Sequence, residues 1–381
     1  MSTNGRDYNV DDIKIVGDGR GTMQGDYLLN VDRPIDRVRW ILECFPEWGQ
    51  WLNREIEETV VPEGNYAFWW TGGMGFVLKS PGGAVLLVDN YAGPAHYTEY
   101  EYCGVCRTSG SPTIDWLRLN PQVIDIFGFK TLDGVFCSHQ HADHTDIYTL
   151  KAATQTSDCK FYGPLSAVER MRKFQVPEER IQLVRPGQSY QIKDVTIDIL
   201  PNYDRIATMT GGPGVEVKPG VRRPFDDVAV TFFFKIGGVN LCHLADTLYQ
   251  NAYVTFQKYN IDVVTFNIGS NAPGATDKMT PYDAVRATEL VGAKLALPLH
   301  WDNWGNTQID PNEVVEIAKW RLPNAKVVIP QWGVKWLYPL QADIKKMKYN
   351  DWRERYRPEH SWEYGEPARK AAQERGDFIP Y

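Results

Sequence analysis

Hydrophobic positions along the 381-residue chain fall into short runs closed by Gly, Pro, Asn and Asp, the punctuation of strands and turns. The segment 66–93, YAFWWTGGMGFVLKSPGGAVLLVDNYAG, holds three such runs between Gly turns and predicts a meander ending at Asp89. A short buried strand follows at 132–138, LDGVFCS. The stretch 181–203, IQLVRPGQSYQIKDVTIDILPNY, predicts hairpin-like strands, and 228–247, VAVTFFFKIGGVNLCHLADT, a hairpin turned at Gly237–Gly238. VVTFNIG and AKLALPLHW add buried strands on either side of the helix TPYDAVRATELVGA, and NAKVVIPQWGVKWLYPL closes the strand pattern.

Helical spacing appears between these runs. Residues 35–60 predict one or two short amphipathic helices rich in Trp, IYTLKAATQ starts another, and LSAVERMRKFQV is a helix that Pro177 ends. Residues 1–30 are polar and Gly-rich, as in an extended arm, and 92–120 have no clear period and predict a long functional loop. The division expected is an arm at 1–34, one domain at 35–345, and a charged Trp/Tyr-rich tail at 346–381 that packs on the domain or on a partner subunit. A strand-rich half followed by a half of mixed strands and helices predicts two sheets covered by helices.

Composition narrows the function classes. Hydrophobic residues at 43% and charged residues at 23% are ordinary for a globular chain. A net charge of −7 argues against general nucleic-acid or membrane-surface binding, although a local cationic spot can still hold an anion. The N-terminus lacks the apolar core of a secretory signal, and no apolar run approaches a membrane span, so a cytoplasmic protein is expected. Six scattered cysteines suit a reducing compartment, and the lone Cys103–Cys106 pair reads as loop thiols before a redox pair or a metal site.

The candidate chemistry is concentrated at 138–146, SHQHADHTD, which takes three of the seven histidines. His139 and His141, two apart in an extended segment, point the same way, and a turn lets Asp143 and His144 aim beside them. Imidazole and carboxylate together are ligands for zinc and its neighbours. Four ligands in six residues exceed what one closed tetrahedral site draws from a single loop and suggest a pair of metals sharing a water.

This cluster resembles the HxHxDH signature of the metallo-β-lactamase superfamily, which implies an α/β fold of the αββα sandwich type with metals at one edge of the paired sheets. The resemblance assigns the acidic residue after the early strands to Asp89, the metal-bridging Asp to Asp246 in NLCHLADT, and the last histidine to His300 in LALPLHW. The superfamily's middle histidine is absent, since 145–242 contain none, and Asp204 in LPNYDR is its natural replacement. His243, three residues before Asp246, reads as a sheet histidine behind the site before a ligand or substrate contact.

The substitution, together with FPEWGQWLN, GGAVLLVD, HADH, YDR, DDVAV, GATDKMT, LPLHWDNW and QWGVKW in order, resembles the L-ascorbate-6-phosphate lactonase family over about residues 38 to 340. Two positions depart from it: Leu248 and Trp301 stand where those lactonases carry histidine. The resemblance implies a divalent-metal hydrolase with one or two ions per subunit, manganese favoured and zinc possible. In that scheme His139, His141 and Asp204 hold one ion, Asp143, His144 and His300 a second, and Asp246 bridges, while Asp89 orients a histidine ligand. Asp143 and Asp246 are the candidates for moving the proton while an activated water attacks the lactone carbonyl.

The expected substrate is a small anionic sugar lactone, and the expected assembly a homo-oligomer. Arg205, Arg222, Arg223 and Lys278 are candidates for holding a phosphate, and Asn271 and Trp301 for facing the pocket. The Trp pairs FWW and WDNW read as packing before substrate stacking. WTGGMG reads as a hairpin turn and MTGGPG as a loop over the site, and neither fits a phosphate-binding fingerprint. A phosphodiesterase or nuclease acting on cyclic nucleotides or other phosphodiesters is the alternative on the same scaffold, and a non-catalytic ligand-binding regulator a further one.

Overall fold

The computed structural model describes residues 14–16, 22–24, 35–44, 46, 50–93, 118–208, 222–270, 278–304 and 307–344. Asn271, Cys103, Cys106, the MTGGPG loop and the tail at 346–381 lie outside the described residues. The chain divides into two units, Met1–Asp343 and Ile344–Tyr381, and the strands and helices among the described residues belong to the first. Near its start, β1 (Lys14–Val16) and β2 (Thr22–Gln24) pair antiparallel as a separate ribbon.

Two seven-stranded mixed sheets form the body. The first runs in the order β16 (Lys335–Tyr338), β3 (Tyr66–Gly72), β4 (Gly75–Lys79), β5 (Val85–Val88), β6 (Gly134–Phe136), β7 (Lys160–Gly163), β8 (Ile181–Leu183). The second runs β15 (Lys326–Val327), β14 (Leu295–Leu299), β13 (Val263–Asn267), β12 (Val239–His243), β11 (Val230–Ile236), β10 (Val195–Pro201), β9 (Ser189–Ile192). Each sheet joins an antiparallel half to a parallel half, and the last strand, β16, returns to the first sheet beside β3.

Period-two alternation assigns the faces. In the first sheet Trp69, Val77, Val85, Leu87 and Val135 turn outward into a core with Trp40 of α1 (Arg37–Cys44), Leu52 and Ile56 of α2 (Trp51–Glu58), Ile147 of α3 (Ile147–Thr156) and Val168 of α4 (Leu165–Lys173). The alternate residues meet the other sheet: the Phe136 ring lies edge-on to Phe232 and Phe234, and Phe76 edge-on to His243. In the second sheet Phe233, Cys242, Val264, Phe266 and Ala296 face a core with Ala284 and Val285 of α6 (Pro281–Val291) and Val314 of α7 (Asn312–Arg321). The short α5 (Phe225–Val228) precedes β11. Both faces of both sheets are covered, which is why these strands read as continuous apolar runs. The result is the αββα sandwich.

Local chemistry sets the boundaries. Asp146 caps α3 by accepting from the Thr149 amide, and Thr280 caps α6 by accepting from Asp283, with Pro281 in the first turn. At the β3–β4 hairpin Gly72 and Gly73 adopt φ of +101° and +56°, and a Cβ on Gly72 would collide with Asn120. No described helix is long and apolar enough to cross a membrane.

Candidate metal centre

The candidate residues collect where strands end. Asp89 follows β5, the 138–144 loop follows β6, Asp204 follows β10, Asp246 follows β12 and His300 follows β14. Three of the turning points use a left-handed backbone at a residue with a side chain: Asp89 (φ +40°), Ala245 (+55°) and His300 (+67°). Such conformations cost about 1 kcal/mol or more each and persist where the surroundings over-determine them. Here they swing the chain at the sheet edge so that side chains from distant strands converge.

Three groups of potential ligand atoms lie within 4.8 Å of one another: His139, His144 and Asp246; His139, His141 and Asp204; and Asp143, His144 and His300. His139 Nε2 is 2.8 Å from His141 Nδ1 and 3.7 Å from Asp204 Oδ2. His144 Nε2 stands 3.5 Å from Asp246 Oδ2 and 3.7 Å from Asp143 Oδ1, and His300 Nε2 is 3.2 Å from Asp143 Oδ2. All seven residues expected to hold metal therefore share one cluster. Burial with two neighbouring imidazoles holds His139 well below the usual histidine range, which keeps it neutral. Burial opposes ionisation of Asp246 and Asp143, yet His300, Lys278 and His144 beside them keep both carboxylates ionised well below the ordinary range.

This donor set fits a divalent cation. Nε2 of His144 and Oδ1 of Asp246 are buried and make no hydrogen bond, an arrangement that is costly unless something else satisfies them. Imidazoles mixed with carboxylates match zinc, manganese and iron.

Asp89 stands behind this cluster. Its carboxylate accepts from the Ser138 amide (2.7 Å), the Ser138 hydroxyl (2.6 Å) and His243 Nε2 (3.0 Å), and lies 3.1 Å from His144 Nδ1. Burial resists its charge, but His144 and His243 hold it below the usual carboxylate range. A carboxylate on Nδ1 turns Nε2 of the same ring toward the cluster. His243, on β12, bridges Asp89 and the Thr265 hydroxyl (2.7 Å) behind the site.

The candidates for substrate contact separate. Arg205 is exposed next to the buried Asp204. Arg222 is exposed, and Arg223 pairs with Glu169 at 2.8 Å. The half-buried Trp301 packs its ring on Trp70 and Trp332 and donates its indole N–H to the Pro298 carbonyl, so its contacts are those of packing. Lys278, one of the candidates for holding a phosphate, lies at the metal-ligand cluster itself. It is 4% exposed, its Nζ lies 2.7 Å from Asp246 Oδ2 and 3.1 Å from His300 Nε2, and it is an integral part of the cluster.

Asn303 and Trp304 donate to Asp143 Oδ2 at 2.9 and 3.3 Å; sequence reading assigned no role to Asn303 or Ser138 and read Trp304 as packing. The first two sit in the HWDNW run, whose polar residues directly after His300 were the available signal.

A family model described as a beta-lactamase superfamily domain matches residues 112–301. Proteins of Escherichia coli O127:H6 and Shigella flexneri, both described as probable L-ascorbate-6-phosphate lactonase, are 37% identical over 330 residues, covering 83% of this chain and 93% of theirs. Among solved structures, isothiocyanate hydrolase from Delia radicum gut bacteria superposes with a TM-score of 0.52 at 15% identity, covering 71% of this chain and 98% of its own. A metallo hydrolase from Ignicoccus hospitalis gives 0.51 at 16% identity, covering 73% and 100%. At these identities the two structures speak to the fold alone.

Proposed function

The chain belongs to the L-ascorbate-6-phosphate lactonase family of metallo-β-lactamase-fold hydrolases, and from that premise we propose that it opens a small anionic sugar lactone, such as L-ascorbate 6-phosphate, to the linear acid. The observation that carries the reading is the convergence of His139, His141, Asp143, His144, Asp204, Asp246 and His300 at one sheet edge in a chain 37% identical to lactonases.

A divalent ion bound there supplies Lewis acidity and lowers the pKa of a bound water. The protein's own groups do the rest. His139, His141, Asp143, His144, Asp204, Asp246 and His300 would hold one or two such ions, and Asp89 would fix the tautomer and angle of His144. Water adds to the lactone carbonyl carbon, the bond from that carbon to the ring oxygen breaks, and the ring oxygen must gain a proton. Asp246 and Asp143, ionised in the resting site, can take the water's proton and pass it to that oxygen. Arg205, exposed beside Asp204, is the group we assign to the phosphate end of the substrate, with Asn271 facing the pocket.

Manganese is the favoured metal, with zinc also accommodated, because Asp204 in place of a histidine makes the ligand set richer in oxygen. We place the enzyme in the cytoplasm, which the buried thiols of Cys137, Cys159 and Cys242 suit, and as a homo-oligomer. The stacked and exposed Tyr282 and Trp320 offer an apolar patch for self-association.

The test is direct. Purified, metal-loaded protein is assayed on L-ascorbate 6-phosphate beside a panel of cyclic nucleotides and other phosphodiesters. Ring opening supports the reading, and phosphodiester cleavage without lactone hydrolysis replaces it with the phosphodiesterase alternative.

A further inference from the structure

His243 is a fully buried imidazole between the two sheets. It lies on β12 opposite Phe232 of β11 and Thr265 of β13, with the Phe76 ring of the first sheet edge-on to it at 4.9 Å. A polar ring among such neighbours is costly unless its nitrogens are paired. Both are: Nδ1 lies 2.7 Å from the Thr265 hydroxyl and Nε2 3.0 Å from Asp89 Oδ2. A carboxylate only accepts, so Nε2 carries the proton. In the neutral ring Nδ1 then accepts from the Thr265 hydroxyl, and that bond selects the tautomer able to serve Asp89.

The pairing crosses the sandwich. Asp89 follows β5 in the first sheet, and the Ser138 amide and hydroxyl hold its carboxylate there. His243 reaches the same carboxylate from the second sheet. Asp89 Oδ2, the oxygen that takes His243, also lies 3.1 Å from His144 Nδ1. Three residues beyond His243 the same strand end delivers Asp246, whose Oδ2 is 3.5 Å from His144 Nε2. The two nitrogens of His144 therefore face two acids, and His243 is bonded to one of them and joined by a short stretch of chain to the other. Sliding β12 against the first sheet would carry Asp246 away from His144 and break the His243–Asp89 bond in the same motion.

We propose that His243 is a positioning residue: by donating to Asp89 across the sandwich it keeps the His144 imidazole in line with Asp246, and Thr265 supports it by fixing the ring nitrogen that donates. The inference rests on the cluster being a metal centre, as proposed above, and is independent of the substrate. It requires a donor at the Nε2 position, which a ring that merely filled space would not. Glutamine carries an amide nitrogen at about the reach of Nε2, and that nitrogen always donates; asparagine is one bond shorter and reaches only the Nδ1 side.

Wild type, His243→Gln, His243→Asn and Thr265→Val are compared by two measurements. Manganese titration, with the free ion read by electron paramagnetic resonance, gives metal affinity. Proton NMR of the zinc-loaded, diamagnetic proteins follows the downfield signal of the His144 Nδ1–H held on Asp89. His243→Asn should weaken manganese binding by about tenfold or more, the scale for a group that orients a ligand, and shift or broaden the His144 signal. His243→Gln should stay close to wild type in both. Thr265→Val should weaken binding on its own and do little in the His243→Gln background, because an amide nitrogen donates whatever its neighbour. Equal losses in His243→Asn and His243→Gln, or wild-type affinity with an unmoved signal in His243→Asn, overturn the inference. If His243→Asn does not fold, by near-ultraviolet circular dichroism, Thr265→Val carries the test, and an equal loss with and without His243→Gln overturns it. Overturned in a wild type that binds manganese and opens the lactone, it leaves the proposed function intact, whereas a wild type that takes up neither metal sinks both.

Discussion

Asn303 donates from its amide nitrogen to Oδ2 of Asp143 across 2.9 Å, though 160 positions separate them in the chain. The contact ties the loop after β14 to the loop after β6. Its direction is fixed from the other end, where Asn120 Nδ2 donates to Asn303 Oδ1 at 3.2 Å and leaves the Asn303 amino group to face Asp143. Asn303 is fully buried, so neither bond is exchanged readily with water. Asn303→Ala should therefore loosen Asp143 and lower kcat/KM or metal affinity by roughly 10- to 100-fold, the usual scale for a group that orients a ligand. Asn303→Asp should be worse, since it sets a carboxylate against a carboxylate. Steady-state kinetics and manganese titration check both, and wild-type values in Asn303→Ala would show the contact to be incidental.

Asp89 makes a stability prediction whose sign can be worked out. His144 and His243 hold its folded-state pKa below the ordinary value of about 3.9. A depressed acid contributes stability that is complete above the unfolded pKa and disappears as pH falls through the folded one. In the metal-free protein, Asp89→Asn should cost about 2 kcal/mol or more near neutrality, the scale of a buried charge-assisted hydrogen bond. The deficit relative to wild type should shrink as pH drops below about 4. Denaturant unfolding at several pH values measures this, and a deficit constant from neutrality to acid would show that His144 and His243 do not stabilise the charged form.

Much of this was legible in the chain because the signals are local. The strand runs, the HQHADH loop and the strand-end acids follow from period-two patterning and from ligand chemistry within a few residues. What was not legible depends on contacts between distant segments. Lys278 looks like any lysine before a helix, and only the approach of β12 and β14 puts its ammonium on Asp246 and His300. Asn303 and Trp304 have no metal chemistry of their own, so their role appears only once the loop from β6 is folded against them. The Trp70, Trp301 and Trp332 cluster arises in the same way, because β16 returns to lie beside β3 and brings the preceding Trp332 to a bridge with Trp70.

Asp204 separates ligand from loop residue. It is buried, and its Oδ1 accepts from the Ile206 and Ala207 amides at 2.9 and 3.0 Å, which leaves Oδ2 on the side of His139. Asp204→Ala should lose metal on dialysis and retain under about 1% of activity, beyond the loss expected for a group that only orients a ligand. Full metal content at a normal rate would show that the carboxylate only shapes the turn. Asp204→His should keep a metal and move the preference toward zinc, since imidazole suits it better than a carboxylate does. The wild type, with its oxygen-rich set, should be reactivated from the metal-free state by manganese, and activity with zinc alone would contradict that.

The phosphate end of the substrate gives the last prediction. The chain carries a net charge of −7 and so exerts no general pull on anions. Any preference for a phosphorylated lactone must come from a local cation. Arg205 is the exposed guanidinium next to Asp204, whereas Lys278 is turned inward to Asp246 and Arg223 is paired with Glu169. Binding energy from a remote phosphate helps to position the ring for attack, so its loss should lower kcat as well as raise KM. Arg205→Ala should cut kcat/KM for L-ascorbate 6-phosphate by about 10- to 100-fold, the worth of one charge-assisted contact. The same change should leave unphosphorylated sugar lactones nearly untouched, because they never used the guanidinium. Measuring both substrates with both proteins closes the cycle. Equal losses on the two substrates would mean that Arg205 acts on the fold or the metal site and not on the phosphate. No loss on either would place the anion on another group, with Asn271 and its neighbours next to be varied.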